Sequence, residues 1–108
     1  MPVNHLVWLK FAADVPAERV EAHLTALQDL RSQVPGILDL NLGTNFTQRA
    51  NGFTHGLVVT LRDKATLVEY AAHPRHVEVA TALREDAEIL ALDYEFQPVG
   101  SSQPISES

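Results

Sequence analysis

The sequence predicts an α+β domain whose elements run βαββαβ, a four-stranded antiparallel sheet with its helices on one face, and three observations carry that prediction. Four short β-prone stretches are separated by two stretches with helical spacing. Strand-like stretches alternate so that apolar side chains fall on both faces of a sheet. The chain of 108 residues, 45% hydrophobic, suits one compact unit.

Residues 4–11 hold Leu6, Val7, Trp8, Leu9 and Phe11 in a run too short and too β-prone for a helix, which makes the first strand. Pro16 and Glu18 mark a helical first turn, and Val20, Leu24, Leu27, Leu30 and Val34 keep helical spacing until Pro35-Gly36, so a helix is expected over 16–34. Residues 37–42 alternate, with Leu38, Leu40 and Leu42 on one face, and lead into a polar loop ending in the turn signal Asn51-Gly52. A third strand is expected over 53–61, with His55, Leu57, Val59 and Leu61 on one side. A short helix over 64–72 then meets Pro74, and a further helix runs from 74 to about 88 through Val77, Ala80, Leu83 and Ala87. The last strand, 90–96, carries Leu92, Tyr94 and Phe96 on one side and Ala91, Asp93 and Glu95 on the other.

This order is the split βαβ, or ferredoxin-like, arrangement. With His5, Val7, Leu9, His55, Leu57 and Val59 facing the helices, Leu6, Trp8, Val58, Leu92, Tyr94 and Phe96 lie on the open side of the sheet. An apolar patch of that size marks an interface, so a homodimer pairing through its sheet faces into a closed barrel is expected. The domain is assigned to 1–99; the Ser-rich stretch 100–108, with Pro104 and no apolar period, is expected to be a flexible tail.

Charge and composition remove several functional classes. Eight Lys and Arg against fourteen Asp and Glu give a net charge of −6 with no basic patch, which argues against nucleic acid or an anionic membrane as partner. Cysteine is absent, so packing alone holds the fold, as suits a reducing cytoplasm. Neither a basic leader followed by a long apolar run nor a membrane-length apolar stretch is present, and a cytoplasmic protein is expected. No nucleophile elbow and no phosphate-binding glycine loop occurs.

The densest chemistry lies in Tyr70-Ala71-Ala72-His73-Pro74-Arg75-His76. Pro74 lacks a backbone N–H and disfavours helical geometry at His73, so one helix ends there and the next begins. His76 then falls in the first turn of the new helix, whose unpaired N–H groups favour a neutral imidazole, the form a general base needs. His73 reads best as a cap. A metal site is not expected, since His73 and His76 are not set to share a face with three or four converging ligands.

The segments His5-Leu6-Val7-Trp8-Leu9-Lys10-Phe11, Val34-Pro35-Gly36, Gly52-Phe53-Thr54-His55, His73-Pro74-Arg75-His76-Val77 and Leu92-Asp93-Tyr94, in this order and spacing, resemble the stress-responsive dimeric α/β-barrel (Dabb) domain family over nearly the whole chain. The resemblance implies a ferredoxin-like monomer that dimerises through its sheets, in a family whose members mostly have no assigned role. One branch, the plant polyketide cyclases, closes a ring by intramolecular aldol condensation without cofactor or metal, in a cavity between helices and sheet. By that likeness His76 and Tyr70 would act on the substrate, Asp93 would stand near the histidine and His5 would line the pocket. An aldol closure needs a base and an oxyanion donor; His76, with its tautomer fixed by Asp93, and the Tyr70 hydroxyl suit those roles. His55, Leu9, His23, Leu24, Leu57 and Val59 complete the expected ligand-binding set. Polar His23 and Gln28 on the first helix depart from the cyclase pattern and provide poorly for a long apolar tail.

Each residue also has a plain structural reading. His5 and His55 alternate with apolar residues as satisfied core histidines ordinarily do, Tyr70 reads as a core residue with its hydroxyl reaching solvent, His23 as an exposed or half-buried helix residue, and His76 with Asp93 as a buried polar pair. Three functions stand open: a small-molecule-binding homodimer without assigned activity, a cofactor-free cyclase or isomerase using His76 and Tyr70, and a small monooxygenase of the same barrel architecture, the last by analogy of fold alone.

Overall fold

A computed structural model describes residues 1–98; the expected tail over 100–108 lies outside the described residues. The elements are β1 (Val3–Phe11), α1 (Ala17–Gln33), β2 (Ile37–Thr44), β3 (His55–Leu61), α2 (Lys64–Ala72), α3 (Pro74–Asp86) and β4 (Ala87–Glu95). The four strands form one antiparallel sheet in the order β2-β3-β1-β4, the ferredoxin-like topology. Among the described residues no helix is long and apolar enough to cross a membrane.

One face of the sheet is dry. Val7 and Leu9 of β1, Leu40 of β2 and Leu57, Val59 and Leu61 of β3 pack against Leu27 and Leu30 of α1, Tyr70 of α2 and Val79 and Leu83 of α3. Two hinge points set the helices over this core. At the end of α1, Gly36 takes φ +91°, and a Cβ there would meet the Thr66 Cγ2 at 2.5 Å, so only glycine permits α2 to start so close. Asp63 caps α2 by accepting from the Thr66 backbone N–H at 2.8 Å and from its hydroxyl at 2.7 Å. At the second hinge the His73 Nδ1 accepts from the Arg75 N–H at 3.1 Å, with Pro74 opening α3, as the cap reading of His73 requires.

Three details differ from the sequence pattern. Leu38 does not share a face with Leu40 and Leu42, because a bulge between Ile37 and Asp39 shifts the register; Ile37 packs on the core instead and Leu38 is exposed. Val77 turns outward, since His76 occupies the sheet-side position of the first turn and Val79 and Ala80 follow it inward. The last strand starts at Ala87, not at 90, and α3 stops at Asp86: Ala87, Ile89 and Ala91 satisfy a strand alternation as well as a helical one, and pairing with β1 decides the matter.

The opposite face is apolar and open. The register aligns Leu6 with Val58 and Leu92, and Trp8 with Gly56 and Leu90. Leu92 is 61% exposed, Leu90 54% and Trp8 46%, values that a finished surface seldom shows in one row. Asn4 bridges the edge of this face, donating to the Tyr94 hydroxyl at 3.1 Å and accepting from Thr60 at 2.7 Å.

Candidate functional site

The break between α2 and α3 brings two side chains over the start of β1. Tyr70, in the last turn of α2, and His76, in the first turn of α3, sit with ring centroids 4.5 Å apart, and the His5 ring of β1 meets the edge of Tyr70 at 5.8 Å. These three rings bound a cavity of about 110 Å³ whose remaining wall is Val7, Leu27, Leu57, Ala80, Leu83, Arg84, Ile89 and Ala91. It lies between the helices and the sheet.

The hydrogen bonds assign the ring nitrogens. Because Pro74 ends α2, the last carbonyls of that helix have no partner in a following turn. One of them, Ala71 O, lies 3.1 Å from His76 Nδ1 and accepts its N–H. A neutral His76 held this way carries its proton on Nδ1, and its Nε2 lone pair has no partner among the described residues. Burial is the main influence that lowers its pKa below the ordinary 6.5; the Ala71 carbonyl pulls it back up, and the charges of His5, Arg84 and His73 lower it further. Burial pushes the Tyr70 phenol up to about 12, so at neutral pH it is a hydrogen-bond donor. No partner for that hydroxyl occurs among the described residues.

Asp93 is not the partner of His76. It faces the helices, as the alternation of β4 requires, but the antiparallel register sets it opposite His5, and its carboxylate accepts from His5 Nδ1 in a short contact. The carboxylate thus supports His5, while a backbone carbonyl orients His76.

The other expected ligand-binding residues divide. Leu57 lines the cavity. Leu9 and Val59 are wholly buried in the core and Leu24 packs at its margin. His23 and His55 belong to a second cluster around Phe11 at the far end of β1, where Phe11 stacks on His23 at 5.9 Å and meets the edge of His55 at 5.4 Å. There His23 Nε2 and the Arg19 guanidinium both bond Asp86, at 2.7 to 2.8 Å, and Thr54 bonds His55 Nδ1 at 2.8 Å. Gln28 is exposed, so of α1 only Leu27 reaches the cavity. Sequence reasoning missed Arg84, although His76, Ala80 and Arg84 form an i, i+4, i+8 stripe that was open to inspection.

A ferredoxin-like sheet with helices on one face and an apolar open face on the other is the architecture of dimeric α/β-barrel proteins. The chain belongs to the Stress Responsive A/B Barrel Domain family, whose model matches residues 3–96. It is 31% identical over 97 residues to olivetolic acid cyclase of Cannabis sativa, covering 87% of this chain and 96% of the cyclase. Among solved structures it resembles At3g17210 of Arabidopsis thaliana, with a TM-score of 0.81 at 27% identity over 91% of this chain and 98% of that one. A dimeric ferredoxin-like protein of unknown function from Jannaschia sp. CCS1 gives a TM-score of 0.78 at 28% identity, over 89% and 100% of the two chains.

Proposed function

We propose that this protein is a homodimer that binds a compact carbonyl compound in the His5–Tyr70–His76 cavity and moves a proton on it, by the chemistry of a cofactor-free cyclase or isomerase. The observation that carries the reading is the Nδ1–H bond of His76 to the Ala71 carbonyl, which leaves Nε2 as a base beside a phenol without a partner. In a ring closure, Nε2 takes a proton from a carbon between two carbonyls, the carbanion forms a bond to a ketone carbon of the same molecule, and the Tyr70 hydroxyl donates to the oxygen that gains charge. The imidazolium then returns its proton to that oxygen to give the aldol hydroxyl; in the dehydration Nε2 takes the remaining proton of the same carbon, the C=C bond forms as the C–O bond breaks, and the imidazolium gives that proton to the departing hydroxyl, which leaves as water. Likeness to a cyclase over nearly all of both chains supports the reaction class. The volume of about 110 Å³ is well below the roughly 300–1,000 Å³ of pockets for drug-sized ligands, so the reacting portion must be short.

The dimer half of the reading rests on the exposed row of Leu90, Leu92 and Trp8. Incubation with linear poly-β-keto thioesters of graded length, followed by mass spectrometry for loss of water, tests the activity. Turnover that vanishes in His76→Ala supports it; turnover that survives that change refutes the assignment. Saturable binding with no turnover of any member of the series would instead establish a binding module in the same cavity.

A further inference from the structure

Arg84 is an exposed cation in the wall of the cavity, and no anion pairs with it among the described residues. Three carboxylates of this end of the fold are engaged elsewhere, Asp86 by Arg19 and His23, Glu88 by Lys10 and Asp93 by His5, and Glu85, which lines a surface groove with Arg84, forms no ion pair with it. Among the described residues Arg84 forms neither a salt bridge nor a side-chain hydrogen bond. A last-turn arginine is ordinarily explained by the helix dipole, which favours cations at that end. That explanation accounts for its presence on α3 but not for its place in the wall of a cavity that is otherwise apolar except for His5, Tyr70 and His76.

We propose that Arg84 is a specificity-determining residue that pairs with a carboxylate of the ligand, so that the cavity takes an anionic β-keto compound with its carboxylate at the mouth and its reacting carbonyls between Tyr70 and His76. The inference rests on the proposed acid–base cavity. Arginine suits the role because its planar fork binds a carboxylate through two charge-assisted hydrogen bonds, and because it keeps its charge at any working pH. The stripe of His76, Ala80 and Arg84 sets the two functional groups two turns apart, with alanine leaving room for the ligand between them. The cation also disfavours protonation of His76, which keeps the base ready when no ligand is bound.

Acetoacetate and acetylacetone make the test, since they share the dicarbonyl skeleton and differ in charge near neutral pH. Each is titrated at matched ionic strength against the full chain, with the ring resonances of His76 and Tyr70 followed by NMR and acetate as a control for general anion effects. The expected result is that acetoacetate binds roughly tenfold more tightly than acetylacetone, the scale of one hydrogen bond to a charged group. In Arg84→Gln that preference should disappear while acetylacetone affinity stays within about twofold, and Arg84→Lys should restore part of it. A preference that persists in Arg84→Gln, or equal binding of the two ligands to the unaltered protein, overturns the role of Arg84 and leaves the cavity reading standing. If neither ligand moves the His76 and Tyr70 resonances, the cavity reading fails and this inference fails with it.

Discussion

Two histidine clusters sit at opposite ends of β1, about 20 Å apart at the rise of an antiparallel strand, and they differ in what their polar atoms bond. Around Phe11 the polar groups pair with one another: His23 bonds Asp86, Asp86 bonds Arg19 through both oxygens, and His55 bonds Thr54. At the other end His76 spends one nitrogen on a helix-end carbonyl, Tyr70 spends nothing on the described residues, and both line a cavity. The first arrangement ties α1 to the end of α3. The second borders the cavity to which the proposed function assigns a ligand. Histidine content alone does not separate a clamp from a site; what each ring bonds does, a charged side chain on another helix for His23 and a helix-end carbonyl beside an unpartnered phenol for His76.

The comparison breaks most visibly at the base. His76→Ala should lower kcat by about 10²- to 10⁴-fold, the range for a lost general base, while His23→Ala leaves kcat near its original value. Tyr70→Phe should cost about 10²- to 10³-fold in kcat, the loss of one oxyanion donor, with little change in Tm because the hydroxyl has no partner to abandon. Circular dichroism melts beside the kinetics separate the two clusters: His23→Ala should lower Tm by about 4 to 8 °C, the scale of about 1 kcal/mol in a domain of this size, without a matching loss of kcat, whereas His76→Ala gives up its bond to the Ala71 carbonyl and should lower both. Asp93→Asn should cost under about tenfold in kcat, since its bond is to His5 and its side chain is 42% exposed.

Acid sharpens the contrast more gently. The pKa values of His76 and His55 are both lowered from 6.5, mainly by burial, so below that pH the unfolded chain binds more protons than the folded one. Stability conferred by the neutral rings is therefore present above about pH 6.5 and lost as the pH falls through the folded-state values. Denaturant melts at pH 7 and 5 should show the decline, and it should shrink in a His55→Phe, His76→Phe double variant. On the open face, Trp8→Asp should shift the light-scattering mass from dimer toward monomer, which tests the barrel independently of the site.

Much of this was legible in the chain. The element order, the helix break at His73-Pro74 and the alternation that sends Asp93 toward the helices and Leu92 away all follow from local patterns. Pairing across the sheet did not. Which residue stands opposite Asp93 depends on strand register, a long-range quantity fixed by the whole β1–β4 ladder, and so the carboxylate was matched to the wrong histidine. The bulge beside Leu38 hid for the same reason, since an extra residue is visible only against its partner strand. The Ala71 carbonyl could not be read from side-chain identities, because it is backbone freed by Pro74.

The account turns on His76 being a neutral base with its proton on Nδ1 and its pKa below the ordinary value. A pH titration of the histidine side chains by ¹⁵N-detected NMR reads both the tautomer and the pKa. The account predicts that His76 carries its proton on Nδ1 near neutral pH, titrates below 6.5, and is indifferent to Asp93→Asn. A ring protonated on Nε2, or a His76 pKa at or above 6.5 that drops when Asp93 is neutralised, would contradict it.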